Sequence, residues 1–104
     1  MNLGARPLPL AEQIVEATGL KVTYPFDDLV FIEHNPFLLR FDDENFDHIY
    51  VHFNVDCHEV DKMQLFDIME KKAHSLGMKA ISTGSYTMQQ KEGVEEIEIV
   101  FSAS

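Results

Sequence analysis

His48, Tyr50 and His52 stand at alternate positions of one run, and two imidazoles with a phenol between them could bind a small molecule or a metal ion. The residues between them, Ile49, Val51 and Phe53, are apolar, and Asn54 and Val55 continue the alternation. A period of two predicts a half-buried strand over His48–Val55 with the histidines on its outer face. On such a strand two residues four apart are separated by about 13 Å, too far to chelate one ion, whereas the same spacing on a helix would suit one. Zinc sites built from soft ligands come as close Cys/His pairs, and the chain has a single cysteine, Cys57. His34 lies in a turn, and Cys57 and His58 lie near the expected start of a helix, where the dipole favours a thiolate. A nucleophilic dyad also needs an oxyanion donor and a third group that orients the base, and no local pattern supplies them. Asp43, Asn45 and Asp47 alternate like the start of a calcium loop, but the sixth and twelfth positions hold His48 and Asn54 in place of Gly and Glu. No glycine-rich phosphate loop is present. The sequence therefore leads us to expect no catalytic residue, no metal and no cofactor. His48, Tyr50 and His52 are kept as an alternative ligand-binding or enzymatic face.

Charge is the second signal. The 104 residues carry 8 Lys+Arg and 18 Asp+Glu, a net charge of −10. From Asp27 to Asp61 there are ten acids against one base, Arg40, while residues 62–91 carry five bases and two acids. Nonspecific nucleic-acid binding requires cations that displace counterions, so nucleic acid is not an expected partner, and an anionic membrane surface is disfavoured for the same reason. A field of one sign steers a partner of the other. Asp27, Asp28, Glu33, Asp42, Asp43 and Glu44 are accordingly the expected docking residues for a basic or mixed basic-apolar protein segment. The hairpin at 29–41 is the expected apolar surface beside them. One cysteine precludes an internal disulfide, and no stretch is long and apolar enough for a membrane span, so the expected location is the cytoplasm.

The elements that must position these groups follow from periodicity and turn chemistry. The length suits one domain, residues 1–104, with 1–9 as a loose lead-in. A helix is expected over about 10–18, with Leu10, Ile14 and Ala17 as its stripe and Gly19 as its stop. Lys21–Tyr24 reads as a weak extra strand ended by Pro25. Leu29–Ile32 and Phe37–Phe41 are strands joined by a turn at Glu33-His34-Asn35-Pro36. Asp56 and Glu59 match a capping box for a second helix that runs to about Leu76, with Gly77 at its stop. Leu65, Phe66, Met69, Ala73 and Leu76 share one face of it, and Phe53 and Met69 are expected to meet across the sheet–helix layer. Val60, Met63 and Ile68 fall off that face. Ala80–Met88 and Val94–Phe101 form a last hairpin around Gln89–Gly93. The expectation is an α+β fold: an antiparallel sheet of about five strands with two helices, in the order α-β-β-β-α-β-β.

Over roughly residues 10–101, that order on an acidic chain resembles the type III secretion chaperone fold; no residue motif accompanies it. The resemblance implies a small acidic homodimer that binds an unfolded segment of another protein. The double-stranded-RNA-binding domain shares part of the order but needs a basic face. Apolar residues at successive positions of 29–32 and 37–41 suggest strands buried on both faces, more than two helices can cover. A homodimer is therefore expected. The functional expectation is a small acidic protein-interaction module without enzymatic activity.

Overall fold

A computed structural model describes residues 6–90 and 97–102. Its elements are α1 (Leu8–Glu16), β1 (Val22–Phe26), β2 (Leu29–Ile32), β3 (Phe37–Phe41), β4 (His48–Asn54), α2 (Glu59–Ser75), β5 (Lys79–Gln90) and β6 (Ile97–Ser102). They form one sheet of six strands in sequence order, β1-β2-β3-β4-β5-β6. Every neighbouring pair is antiparallel except β4 and β5, which are parallel. The expectation of about five antiparallel strands is thus corrected twice. The segment at Val22 is a full edge strand, and Pro25 sits inside it opposite Val30; an edge strand tolerates a residue without an N–H donor. The parallel pair follows from α2, because a helical crossover returns the chain to the end at which β4 began. The observed order, α-β-β-β-β-α-β-β, has one more strand before α2 than the chaperone-like order.

Both helices lie on one face of the sheet. α1 buries Ala11, Ile14 and Val15, so its inner stripe is shifted from the expected one: Leu10 is half-buried and Ala17 is exposed at the C-cap. Pro9 lies in the first turn of α1, where a missing N–H costs nothing. Gly19 and Gly77 end the helices with φ of 88° and 76°, a left-handed conformation that glycine adopts without strain. The capping box at α2 does not form. His58 is the N-cap without a side-chain cap bond, and the Asp56 N–H donates to Asn54 Oδ1. Met69 and Ala73 are the buried residues of α2, with Leu65, Phe66 and Leu76 packed against the same core. Val60, Met63 and Ile68 stand on its outer side, and Met63 is 71% exposed.

Strand alternation divides the sheet into two faces. Val30, Ile32, Phe37, Leu39, Phe41, Ile49, Val51, Phe53 and Ala80 face the helices in one buried cluster that includes Met69. The second face carries Phe31, Leu38 and Tyr86, also buried, with Leu29, Met88 and Ile99 packed on them. That face is covered by the chain's own last hairpin. On β5, Ser82 pairs with Val51 but Ser85 pairs with Phe53, so β5 carries one extra residue there. Gly84 lies in that step with φ of 60°. A bulge of this kind bends the strand and reverses which face its side chains serve. Beyond it Tyr86 and Met88 point to the second face, and β5 and β6 curl across it. The apolar surplus of 29–32 and 37–41 is therefore largely covered within the chain, and the 29–41 hairpin is not an exposed apolar surface. Val94 and Gly93, expected in the last hairpin, lie outside the described residues.

Phe53 is 4% exposed and meets Phe37 edge-on at 6.0 Å. Phe53→Ala should cost about 3–5 kcal/mol, much of a small domain's stability of about 5–15 kcal/mol. Tyr50→Ala, on the opposite face and half-exposed, should cost far less. Urea melts of the two variants check this, and equal losses would mean that the faces of β4 are assigned wrongly.

Candidate functional site

The second face of β3 and β4 carries the polar groups singled out by sequence, in a network with Arg40 at its centre. Arg40 on β3 pairs with Tyr50 on β4, and Leu38 pairs with His52. Arg40 Nε donates to His52 Nε2 at 3.2 Å, and the guanidinium carbon lies 4.5 Å above the Tyr50 ring. Tyr50 Oη donates to Asp42 Oδ2 at 3.0 Å, and this acceptor raises the phenol pKa. His52 is 6% exposed, and Phe101 of β6 covers it at a ring separation of 4.6 Å. Because Nε2 accepts from Arg40, the neutral ring carries its proton on Nδ1, which is buried without a partner in hydrogen-bond geometry. Burial and then the Arg40 charge lower the His52 pKa, against smaller opposing effects of the Thr83 backbone and Asp28.

His48, Tyr50 and His52 therefore share a face as expected, but they do not converge on one open site. His52 Nε2 is occupied by Arg40, and His48 lies at the margin, 3.9 Å from both Asp42 and Asp47. Among the described residues no three His, Cys, Asp or Glu side chains are arranged to hold a metal ion. Cys57 and His34 both line a cleft of about 740 Å3 that also touches His58, Asn54, Asp56 and Asp61. Burial, then Asp61, raises the Cys57 pKa, and its Sγ contacts the His58 carbonyl at 3.8 Å rather than an imidazole. That environment keeps the thiol protonated at neutral pH, the opposite of an activated nucleophile. His34 and Asn35 hold left-handed φ values of 65° and 53°. The Asn35 carbonyl is fixed by Tyr86 Oη at 2.8 Å and Asn54 Nδ2 at 3.1 Å. Burial pushes the Tyr86 phenol up to about 12.

The acids separate into two groups. The β1–β2 turn, with Asp27 and Asp28, adjoins the β3–β4 turn, with Asp42, Asp43 and Glu44: the Phe41 N–H donates to the Asp28 carbonyl at 2.8 Å. Glu33 lies at the other end of β2, where its Oε1 accepts the Lys21 N–H. Asp42 is a structural acid. Its two oxygens accept from the Glu44 and Asn45 N–H groups, the Asn45 amide and Tyr50, and this holds its carboxyl down at about 2, with the Asn45 amide the largest cause. Asp43 takes a two-point bond from Arg6 at 3.0 and 2.9 Å, which lowers its pKa, and Arg6 also reaches the Asp27 carbonyl. Asp27, Asp28, Glu44 and Asp47 have no side-chain ion pair to Lys or Arg among the described residues. Phe26 and Phe46, 61% and 54% exposed, stand beside these acids. Sequence reasoning missed Arg40, Phe26 and Phe46. The signal for Arg40 was its place as the one base in the acidic third of the chain.

No protein-family model, curated protein or solved structure matches this chain.

A histidine whose pKa is lowered by folding binds its proton more readily in the unfolded chain. The His52 contribution is then complete above its ordinary value of 6.5 and is lost as pH falls from there toward the lower folded value. His52→Gln, which keeps an acceptor for Arg40, should flatten the loss of stability seen in urea melts between about pH 7.5 and 5. Parallel pH profiles for the two proteins would exclude this role.

Proposed function

We propose that the protein is a small acidic interaction module without catalytic activity, and that it docks a basic or mixed basic-apolar segment of a protein partner at the end formed by the β1–β2 and β3–β4 turns. One observation carries the reading. The carboxylates with no Lys or Arg partner among the described residues, Asp27, Asp28, Glu44 and Asp47, flank two exposed phenylalanines, Phe26 and Phe46. Exposed ion pairs contribute only about 0–1 kcal/mol each, so charge alone gives a fast and weak encounter. The phenylalanines add the apolar area that affinity requires. Within this reading Asp42 and Asp43 shape the docking end rather than offer charge to a partner, and Glu33 stands apart from it.

The triple variant Asp27→Asn, Asp28→Asn, Glu44→Gln tests the steering. The probe is the labelled cationic heptapeptide acetyl-KITVRVK-amide, followed by stopped-flow fluorescence. The wild-type association rate should fall as ionic strength rises, and the variant should associate about tenfold more slowly at low salt with little change in dissociation. Its melting temperature should move by no more than about 3 °C. A variant that associates at the wild-type rate would reduce the acids to a solvated surface.

We further propose that the module is a homodimer paired through the outer side of α2. Val60, Met63 and Ile68 leave apolar surface there that no element among the described residues covers. Light scattering at about 100 μM should give twice the chain mass of 11.9 kDa. Met63→Glu should return it to the single mass, and a wild type of single mass would remove the dimer.

A further inference from the structure

We propose that the free edge of β6, with the apolar pocket beside it, takes an extended cationic segment of the partner as an added strand. The proposal names the binding mode of the acidic module and rests on that reading. Its starting point is the difference between the two sheet edges. β1 carries Pro25 in mid-strand and a register shift between Val22 and Tyr24, both of which blunt an edge against further pairing. β6 is six residues, Ile97–Ser102, with no proline, lysine or arginine, and among the described residues it pairs with β5 alone. Its outer N–H and C=O groups are a template for another strand.

The curl of the sheet gives that edge a specificity element. Thr23, Tyr24, Phe31, Asn35, Met88 and Ile99 line a pocket of about 250 Å3 that lies between β1 and β6. Tyr24 and Phe31 form one wall as a stacked pair, with ring centroids 4.8 Å apart. The volume is below the range of about 300–1,000 Å3 usual for small-molecule sites, and suits a single large side chain carried on an extended backbone. A strand paired with β6 points alternate side chains to the concave side. One enters beside Ile99, and the next on that side falls two residues away, toward Phe101. The intervening side chains point the other way, on the face that carries the exposed Glu98.

Charge selects the occupant. Among the described residues no lysine or arginine lines the pocket, β6 contains none, and its Glu98 is exposed. A second copy added at this edge would place the exposed Glu98 of each on one joined sheet, like charge beside like charge. A segment that alternates apolar and basic residues gains from both sides of the strand.

The experiment uses acetyl-KITVRVK-amide and the same peptide N-methylated on alternate residues, with amide exchange of the 15N-labelled protein as the readout. Strand addition predicts that the unmodified peptide slows exchange of amides within 97–102. It also predicts that methylation of the peptide edge facing β6 weakens binding by about tenfold or more, through lost main-chain hydrogen bonds. Methylation of the opposite edge should be tolerated. Equal binding of all three peptides, with shifts confined to Phe26, Phe46 and the acidic turns, would overturn the added strand and leave the acidic docking end standing. No binding at about 1 mM would overturn both. Amides of β6 already protected in a dimer of the free protein would assign the edge to a second copy and overturn the proposal.

Discussion

The extra residue at Gly84 decides what the rest of the sheet becomes. Without it β5 would continue straight beside β4, and the side chains of Tyr86 and Met88 would point toward the helix side, away from Phe31 and Leu38. With it the strand bends, the alternation changes phase, and Tyr86 seals the second face while its hydroxyl fixes the Asn35 carbonyl in the β2–β3 turn. The buried second face, the cover that Phe101 places over His52 and the pocket between the two edges all follow from that one slip of register. Glycine suits this bend because it takes a positive φ without the strain that a side chain brings there.

Some of this was legible in the residues. The alternation of His48–Asn54, the turn at 33–36 and the glycine stops at 19 and 77 are local patterns, and each is seen where the local chemistry puts it. The doubly apolar runs at 29–32 and 37–41 were also readable, as strands with both faces buried. What covers them was not, because the cover comes from a hairpin more than fifty residues away whose phase is reset by a bulge. The parallel pairing of β4 and β5 was implied by the intervening helix, yet the strict in-and-out alternation of His48–Val55 reads just as well as antiparallel. The capping box failed for a local reason: the Asp56 N–H, which Glu59 would have accepted, already donates to the Asn54 side chain, and the helix begins after His58.

The candidate site was less legible than the fold. Sequence finds that the acids cluster along the chain, but not which of them the fold consumes. Asp42 and Asp43 look like their neighbours in the sequence, and differ only because Asn45, Tyr50 and Arg6 come to them in space. Arg40 shows the converse. As the one base among ten acids it reads as a minor entry in the charge balance, yet it sits against two of the three rings of β4 that sequence singles out, Tyr50 and His52.

The bond between Tyr86 and Asn35 joins residues 51 apart, and it has a consequence for the order in which the chain assembles. The strands β1 to β4 form a meander of adjacent pairs, each closed by a short turn, and such local contacts are the quickest to form. The parallel pair must wait for α2 to be built and laid across the sheet, and the curled hairpin can seat only after that. Within the β1–β4 meander alone Phe31 and Leu38 lack the cover that Tyr86, Met88 and Ile99 bring. Topology therefore predicts that the slow step of folding is the return of the C-terminal third over the N-terminal meander. On the ribosome, where the meander emerges first, those two side chains are expected to wait for a cover made later in the chain.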